Sequence, residues 1–225
     1  MFNRIKLYEW IFGGILLLAL LVGLYFSFQS PEYFTDTYVP EDGLLENLTA
    51  LFLFLVALVM GWRLLKFRKG KSFLWIFTHV MVFLLFLFGA GEEISWGQRI
   101  FGIESSEFFE EHNTQDEMNL HNLEIGGVRL NTLIFSQLLT FALVCYFFII
   151  PLLYPKWKWL KKLVNNFGLF LPNWHHSLFF LLCTIIVLLI PSDKKWELLE
   201  LSFSFAFLVT VLNPFNSEVI YTKQT

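Results

Sequence analysis

The chain has 225 residues, of which 56% are hydrophobic, 19% aromatic and only 16% charged, with a formal net charge of −3. A water-soluble domain has about a quarter of its residues charged and somewhat under half apolar. With a mean hydropathy of +0.59, this composition excludes a soluble enzyme, a disordered chain and a nucleic-acid binder. Cys145 and Cys183 lie inside apolar runs and say nothing about an oxidising compartment.

A helix needs roughly 20 mostly apolar residues to cross the hydrocarbon core of a bilayer. Six stretches qualify, at about 10–28, 44–65, 73–94, 132–153, 174–191 and 197–215. The first is long and lacks a small-residue cleavage site, so it is read as a retained span rather than a removable signal peptide. The last two form a hairpin around Pro191, Ser192 and Asp193. The expected fold class is therefore all-α: residues 1–225 form one polytopic membrane-spanning helical bundle of about six helices.

Positively charged loops tend to stay in the cytoplasm. Arg4, Lys6, the Arg63–Lys71 connection, the Lys156–Lys162 connection and Lys223 place 12 basic residues on one side and leave 4 on the other. This alternation across all six spans predicts that both termini are cytoplasmic. The acidic residues run the opposite way: of 19, only Glu9 and Glu218 fall on the cytoplasmic side. Acids contribute little to topology, so their skew needs its own explanation.

Ionisable groups at membrane depth are costly and by default mark function or a paired structural site. Span 2 opens with EDGLLENLTALFLF, which brings Glu46, Asn47 and Thr49 into the outer leaflet, and span 3 ends GAGEEISWGQRIFG. If that helix continued, Glu92, Ser95 and Arg99 would share a face at i, i+3, i+7, with Glu93 and Gly97 on a neighbouring strip. Gly89 and Gly91 would admit a bend or a close neighbour. The outer loop, 98–130, is long, and in DEMNLHNLE the residues Glu117, His121 and Glu124 fall at i, i+4, i+7. That spacing predicts an amphipathic helix lying at the outer interface, its polar face toward spans 2 and 3.

On this reading Glu46, Glu92 or Glu93, Glu117 and His121 converge on one outer-leaflet pocket. Three carboxylates and an imidazole suit a divalent ion such as Zn, Mn or Fe. Glu46, Glu92, Glu117 and His121 are the candidate metal ligands, and Glu92, Glu93, Ser95 and Arg99 the candidate catalytic residues around a metal-activated water. The plainer reading is that Glu92 and Arg99 neutralise each other at a helix end while Asn, Gln and Ser bond neighbouring spans. His79 is expected to make a core hydrogen bond deeper in span 3. His175 and His176, which point about 100° apart on a helix, are expected to be interfacial anchors with Trp174. Glu200 lies on the correct side to join the pocket.

GEEISWGQRIFG followed by NTQDEMNLHNL resembles a block in bacterial polytopic membrane proteins of uncharacterised function, over residues 90–123. The resemblance implies a multi-pass protein of the bacterial inner membrane and brings no activity with it. The acids before a span, the Asn47/Thr49 pair and Ser95 on the next span also look similar to the alkaline ceramidase and progestin-receptor-like membrane hydrolases. Those seven-span proteins bind zinc through three histidines, two of them in an His-x-x-x-His pair on the last span. This chain lacks that pair and one span, so the resemblance implies a role for Ser95 alone.

The functional expectation is an integral-membrane, metal-dependent hydrolase or transferase acting on a lipid or lipid-linked substrate from the outer side. Membrane lipids are its expected partners, with no nucleic acid. The alternatives are a non-catalytic assembly partner, docking another membrane protein or a second copy of itself, and a transporter. Spans 1, 4 and 5 carry few polar residues at mid-depth, which disfavours a translocation path.

Overall fold

The computed structural model describes residues 5–120, 122–125, 128–129 and 138–222, apart from the side chains of residues 99, 128 and 129. Helices α1 (Leu7–Gln29), α2 (Leu44–Phe67) and α3 (Phe73–Glu93) have 23, 24 and 21 residues and are long and apolar enough to cross a membrane. They are followed by α4 (Glu107–His112), α5 (Leu139–Leu153), α6 (Lys158–Phe167), α7 (Trp174–Leu188), α8 (Lys195–Leu212) and α9 (Ser217–Ile220). Three of the six expected spans are thus membrane-length helices among the described residues; the other three stretches hold helices α5, α7 and α8, of which α5 and α7 are shorter apolar helices and the first turns expected of span 4 lie outside the described residues. A π-helical turn at Cys145–Ile149 interrupts α5 just before Pro151, whose ring supplies no N–H to the helix ladder.

One face of each long helix packs inward. In α1 the buried positions Glu9, Gly13, Leu16, Leu20, Gly23 and Ser27 recur at three- and four-residue steps, which keeps them on one stripe. The opposite face is not polar. Trp10, Phe12, Ile15, Leu18 and Phe28 on α1, and Phe73, Phe77 and Leu85 on α3, are all exposed. In water so much bare apolar surface would drive association, whereas against hydrocarbon it costs nothing. The bundle is built around α2 and α8: α2 packs on α3 and α8, α8 on α7, and α7 on α1. Helix α8 is the most enclosed, with Leu198, Leu201, Ser202 and nearly every residue from Ser204 to Val211 buried.

The amphipathic helix expected within the outer loop is absent from the described residues there. Residues 113–120 and 122–125 make turns, an isolated bridge between Asn113 and Leu123, and the start of a two-residue hairpin that pairs Glu124 with Arg129. Asparagine chemistry explains the difference. Asn113 Oδ1 accepts from the Gln115 amide (2.9 Å) and Asn119 Oδ1 from the Asn122 amide (3.1 Å), local bonds that compete with helical ones. Glu117 and Glu124 therefore share no helical face, and His121 lies outside the described residues. An amphipathic helix does occur at the other end of the bundle, where α6 (KWLKKLVNNF) buries Leu160 and Val164 and leaves its lysines outside. Gly168 ends it at φ +62°, and any Cβ there would meet the Trp75 ring at 2.1 Å.

His79 behaves as expected, its Nδ1 lying 2.9 Å from the Trp75 carbonyl in the core with its ring stacked on Trp75. His175 and His176 do not. Both are enclosed at the start of α7, with side chains 9% and 2% exposed, and are not interfacial anchors.

Candidate functional site

Helix α3 stops at Glu93 because the chain turns left-handed three times in succession, at Ser95 (φ 46°), Trp96 (φ 54°) and Gly97 (φ 79°). The spacing that put Glu92, Ser95 and Arg99 on one helical face is broken, and the Arg99 side chain lies outside the described part of the structure. A left-handed non-glycine residue costs roughly 1–2 kcal/mol. What offsets this cost is visible. Trp96 folds back along α3, laying its ring on Gly91, donating from Nε1 to Glu92 Oε1 (2.8 Å) and meeting Phe88 edge-on. Gly91 is required for this, because a Cβ there would lie 2.8 Å from the indole.

The turn lets the loop close over the end of α3. Glu92 Oε2 accepts the Leu120 amide at 2.7 Å. Ser95 Oγ donates to Glu117 Oε2 at 2.5 Å, and Asn119 Nδ2 bonds both Ser95 Oγ (3.0 Å) and Glu117 Oε2 (2.7 Å). Gln98 ties the same strip down by accepting the Met118 amide (2.7 Å) and donating to Ser105 Oγ (2.7 Å). Glu92, Ser95, Glu117 and Asn119 are all buried. Hydrogen bonds to carboxylates are roughly twice as strong as neutral ones, so this network holds a loop that otherwise has little secondary structure.

Beneath the loop is a small cavity of about 20 Å³ lined by six glutamates: Glu46 from α2, Glu92 and Glu93 from α3, Glu117 from the loop, and Glu197 and Glu200 from α8. Gln115, Asn119 and Asn122 complete the lining among the described residues. Glu46 also accepts the Asp42 amide at the start of α2. A second space, an apolar groove of about 430 Å³ between α2 and α3, has walls that include Leu51, Phe54, Leu87, Ile94 and Trp96, the last hydrogen-bonded to Glu92 of the cavity. Asn47 also lines the groove, at the end where Trp96 stands.

Of the residues expected at the site, Glu46, Glu92, Glu93 and Glu117 come together around one cavity. Ser95 lines neither space: it is fully enclosed and its hydroxyl positions Glu117. Glu200 joins as anticipated, and Glu197, one turn before it, was missed although the i, i+3 spacing of the two acids at the start of α8 marks it. The three amides were missed because their approach depends on the loop's turns. Among the described residues, the spacing of a tight chelate, with three ligand atoms all within 4.8 Å of one another, occurs at Glu9, His175 and His176 and not in this cavity.

Carboxylates this close favour a neighbouring positive charge or a shared proton. The lining is all oxygen and amide nitrogen, and carboxylate oxygens are the donors that hard divalent cations take. The comparisons with family models, with curated proteins and with solved structures give no match to this chain.

Proposed function

We propose that the chain is a six-span protein of the bacterial inner membrane with both termini in the cytoplasm, and that it is a cation-dependent hydrolase or transferase acting on a lipid or lipid-linked substrate at the outer leaflet. The observation that carries this reading is a six-glutamate cavity beside an apolar groove, with Glu92 lining the one, Trp96 lining the other and the two side chains hydrogen-bonded. The groove runs between two membrane-length helices and suits an acyl or isoprenoid chain. The cavity's carboxylate oxygens would hold a cation that bridges to an anionic headgroup such as phosphate. An all-oxygen donor set favours Mg²⁺ or Mn²⁺ over zinc. A cation held there would supply polarisation of the scissile group, and Glu93 or Glu200 would be placed to accept the proton of an attacking water.

The test uses full-length protein in detergent, stripped of metal and titrated with Mg²⁺ or Mn²⁺ alone, followed by turnover of phospholipid and polyprenyl phosphate in mixed micelles. The expected result is cation-dependent turnover that Glu93→Gln or Glu200→Gln abolishes while the melting temperature holds. Turnover indifferent to both substitutions, or no cation response in a folded protein, would overturn the reading.

A further inference from the structure

At the opposite end of the bundle a second polar cluster joins three helices. Glu9 lies in the first turn of α1, His175 and His176 in the first turn of α7, and Asn213 and Thr210 at the end of α8. The Glu9 carboxylate sits where two helix N-termini meet. Its Oε2 accepts the Lys6 amide at 2.6 Å, and its side chain reaches the start of α7. Both N-terminal dipoles favour the anion there.

His176 is fully accounted for without any ligand. Its Nδ1 accepts from the Asn173 amide (3.3 Å), so its Nε2 carries the proton that it shares with Glu9 Oε1 at 2.9 Å, an oxygen that also accepts Asn213 Nδ2 at 3.0 Å. His175 is different. Its side chain is 9% exposed and its Nε2 faces Glu9 Oε2 at 3.4 Å, yet neither ring nitrogen has a hydrogen-bond partner among the described residues. A buried polar group left in this state costs free energy. The two rings, with centroids 4.3 Å apart and planes at 74°, both turn toward the carboxylate, although successive helix positions alone would splay them.

We propose that Glu9, His175 and His176 bind a zinc-class divalent metal ion. Two imidazole nitrogens and one carboxylate oxygen, all within 4.8 Å of one another, are a donor set for Zn²⁺ with further positions for water. Zinc lies about 2.0–2.2 Å from such atoms, so tetrahedral ligands stand roughly 3.4 Å apart. The 2.9 and 3.4 Å pairs use the two oxygens of the same carboxylate, and the donor set, all within 4.8 Å, would draw together around the ion. On binding, the His176 proton moves from Nε2 to Nδ1, where the Thr210 hydroxyl, 3.2 Å away, can accept it. The long Asn173 amide contact is given up. His175 gains through the metal the partner it lacks. The site is independent of the acidic cavity, since Glu200 and Asn213 on α8 are about 20 Å apart along the helix.

The experiment takes full-length protein in detergent, strips it with a chelator, and titrates it with Zn²⁺ and, separately, Co²⁺. One equivalent is expected, with tetrahedral Co²⁺ absorption bands and a higher melting temperature. His175→Phe keeps ring volume and removes only the 3.4 Å contact with Glu9, so the metal-free melting temperature should fall little. The substitution should weaken Zn²⁺ binding by more than the roughly 10–100-fold that loss of an outer-shell partner costs. Glu93→Gln should leave this binding intact, separating it from the cavity's cation. Wild-type Zn²⁺ affinity in His175→Phe, zinc removed by Glu93→Gln instead, or no bound metal in folded wild-type protein would each overturn the assignment.

Discussion

Gly91→Ala tests whether the link between the cavity and the groove is built as described. In most helices this substitution stabilises, by roughly 1 kcal/mol. Here the new Cβ would stand 2.8, 2.9 and 3.0 Å from three ring carbons of Trp96. The indole cannot retreat freely, because its residue is already left-handed and its Nε1 is bonded to Glu92. Overpacking of this kind costs about 1–3 kcal/mol, and losing a hydrogen bond to a carboxylate about 1.5–3 kcal/mol more. Set against the helix gain, a net destabilisation of about 2 kcal/mol is expected. The control is Gly14→Ala in α1, whose Cβ would meet nothing within 4 Å and which should be neutral or stabilising. Thermal unfolding in detergent, followed by tryptophan fluorescence, reads both variants. A Gly91→Ala protein at least as stable as Gly14→Ala, with unchanged fluorescence, would show that Trp96 does not rest on Gly91 and would remove the link on which the functional reading depends.

Gly168→Ala should be destabilised by about 3 kcal/mol, from a positive φ and a direct clash with Trp75, measured as a fall in melting temperature. Asn119→Ala removes the amide that bridges Ser95 and Glu117 and accepts from Asn122. It should cost about 2–3 kcal/mol and open the 100–125 segment to limited proteolysis before global unfolding. Glu200→Gln relieves repulsion in the cavity, so metal-free protein should melt no lower than wild type while its stabilisation by Mg²⁺ or Mn²⁺ shrinks. Tyr38→Phe loses the 2.6 Å bond to the Ala19 carbonyl and should cost about 1 kcal/mol without affecting either metal titration.

The long helices were readable because hydrophobic length is a local property: 10–28, 44–65 and 73–94 fall within a few residues of α1, α2 and α3. The grouping of Glu46, Glu92, Glu93 and Glu117 was readable for a related reason, since alternate helix ends must return to the same side. What periodicity could not show was the path of the chain between helices. The reading of 92–99 and 117–124 as helix faces failed where side chains outcompete the backbone ladder, at Trp96 folding onto Gly91 and at Asn113 and Asn119 holding their own neighbours. His175 and His176 were dismissed on their angular separation along one helix. Their convergence depends on Glu9, 166 and 167 residues away in the sequence, arriving over the first turn of α7, and no local pattern carries that information.

Helix α8 connects the two polar ends, and what it carries between them bears on what kind of protein this is. Glu197 and Glu200 open it at the cavity, and Thr210 and Asn213 close it at the histidine cluster. Between them Ser202 and Ser204 are fully buried, but each hydroxyl donates to a carbonyl of its own helix, Leu198 at 2.7 Å and Leu201 at 2.9 Å. These hydroxyls satisfy themselves and offer no stepping stones to an ion or proton. Leu201, Phe205 and Val209 from α8 pack with Leu16, Leu20, Cys183 and Val187 into one apolar core across the middle of the bundle. A translocation path would need polar groups facing one another at this depth; here apolar packing fills it. Such a partition suits two sites that work separately, each at its own end of the bundle, and it predicts that substitutions in one cluster leave the metal titration of the other unchanged.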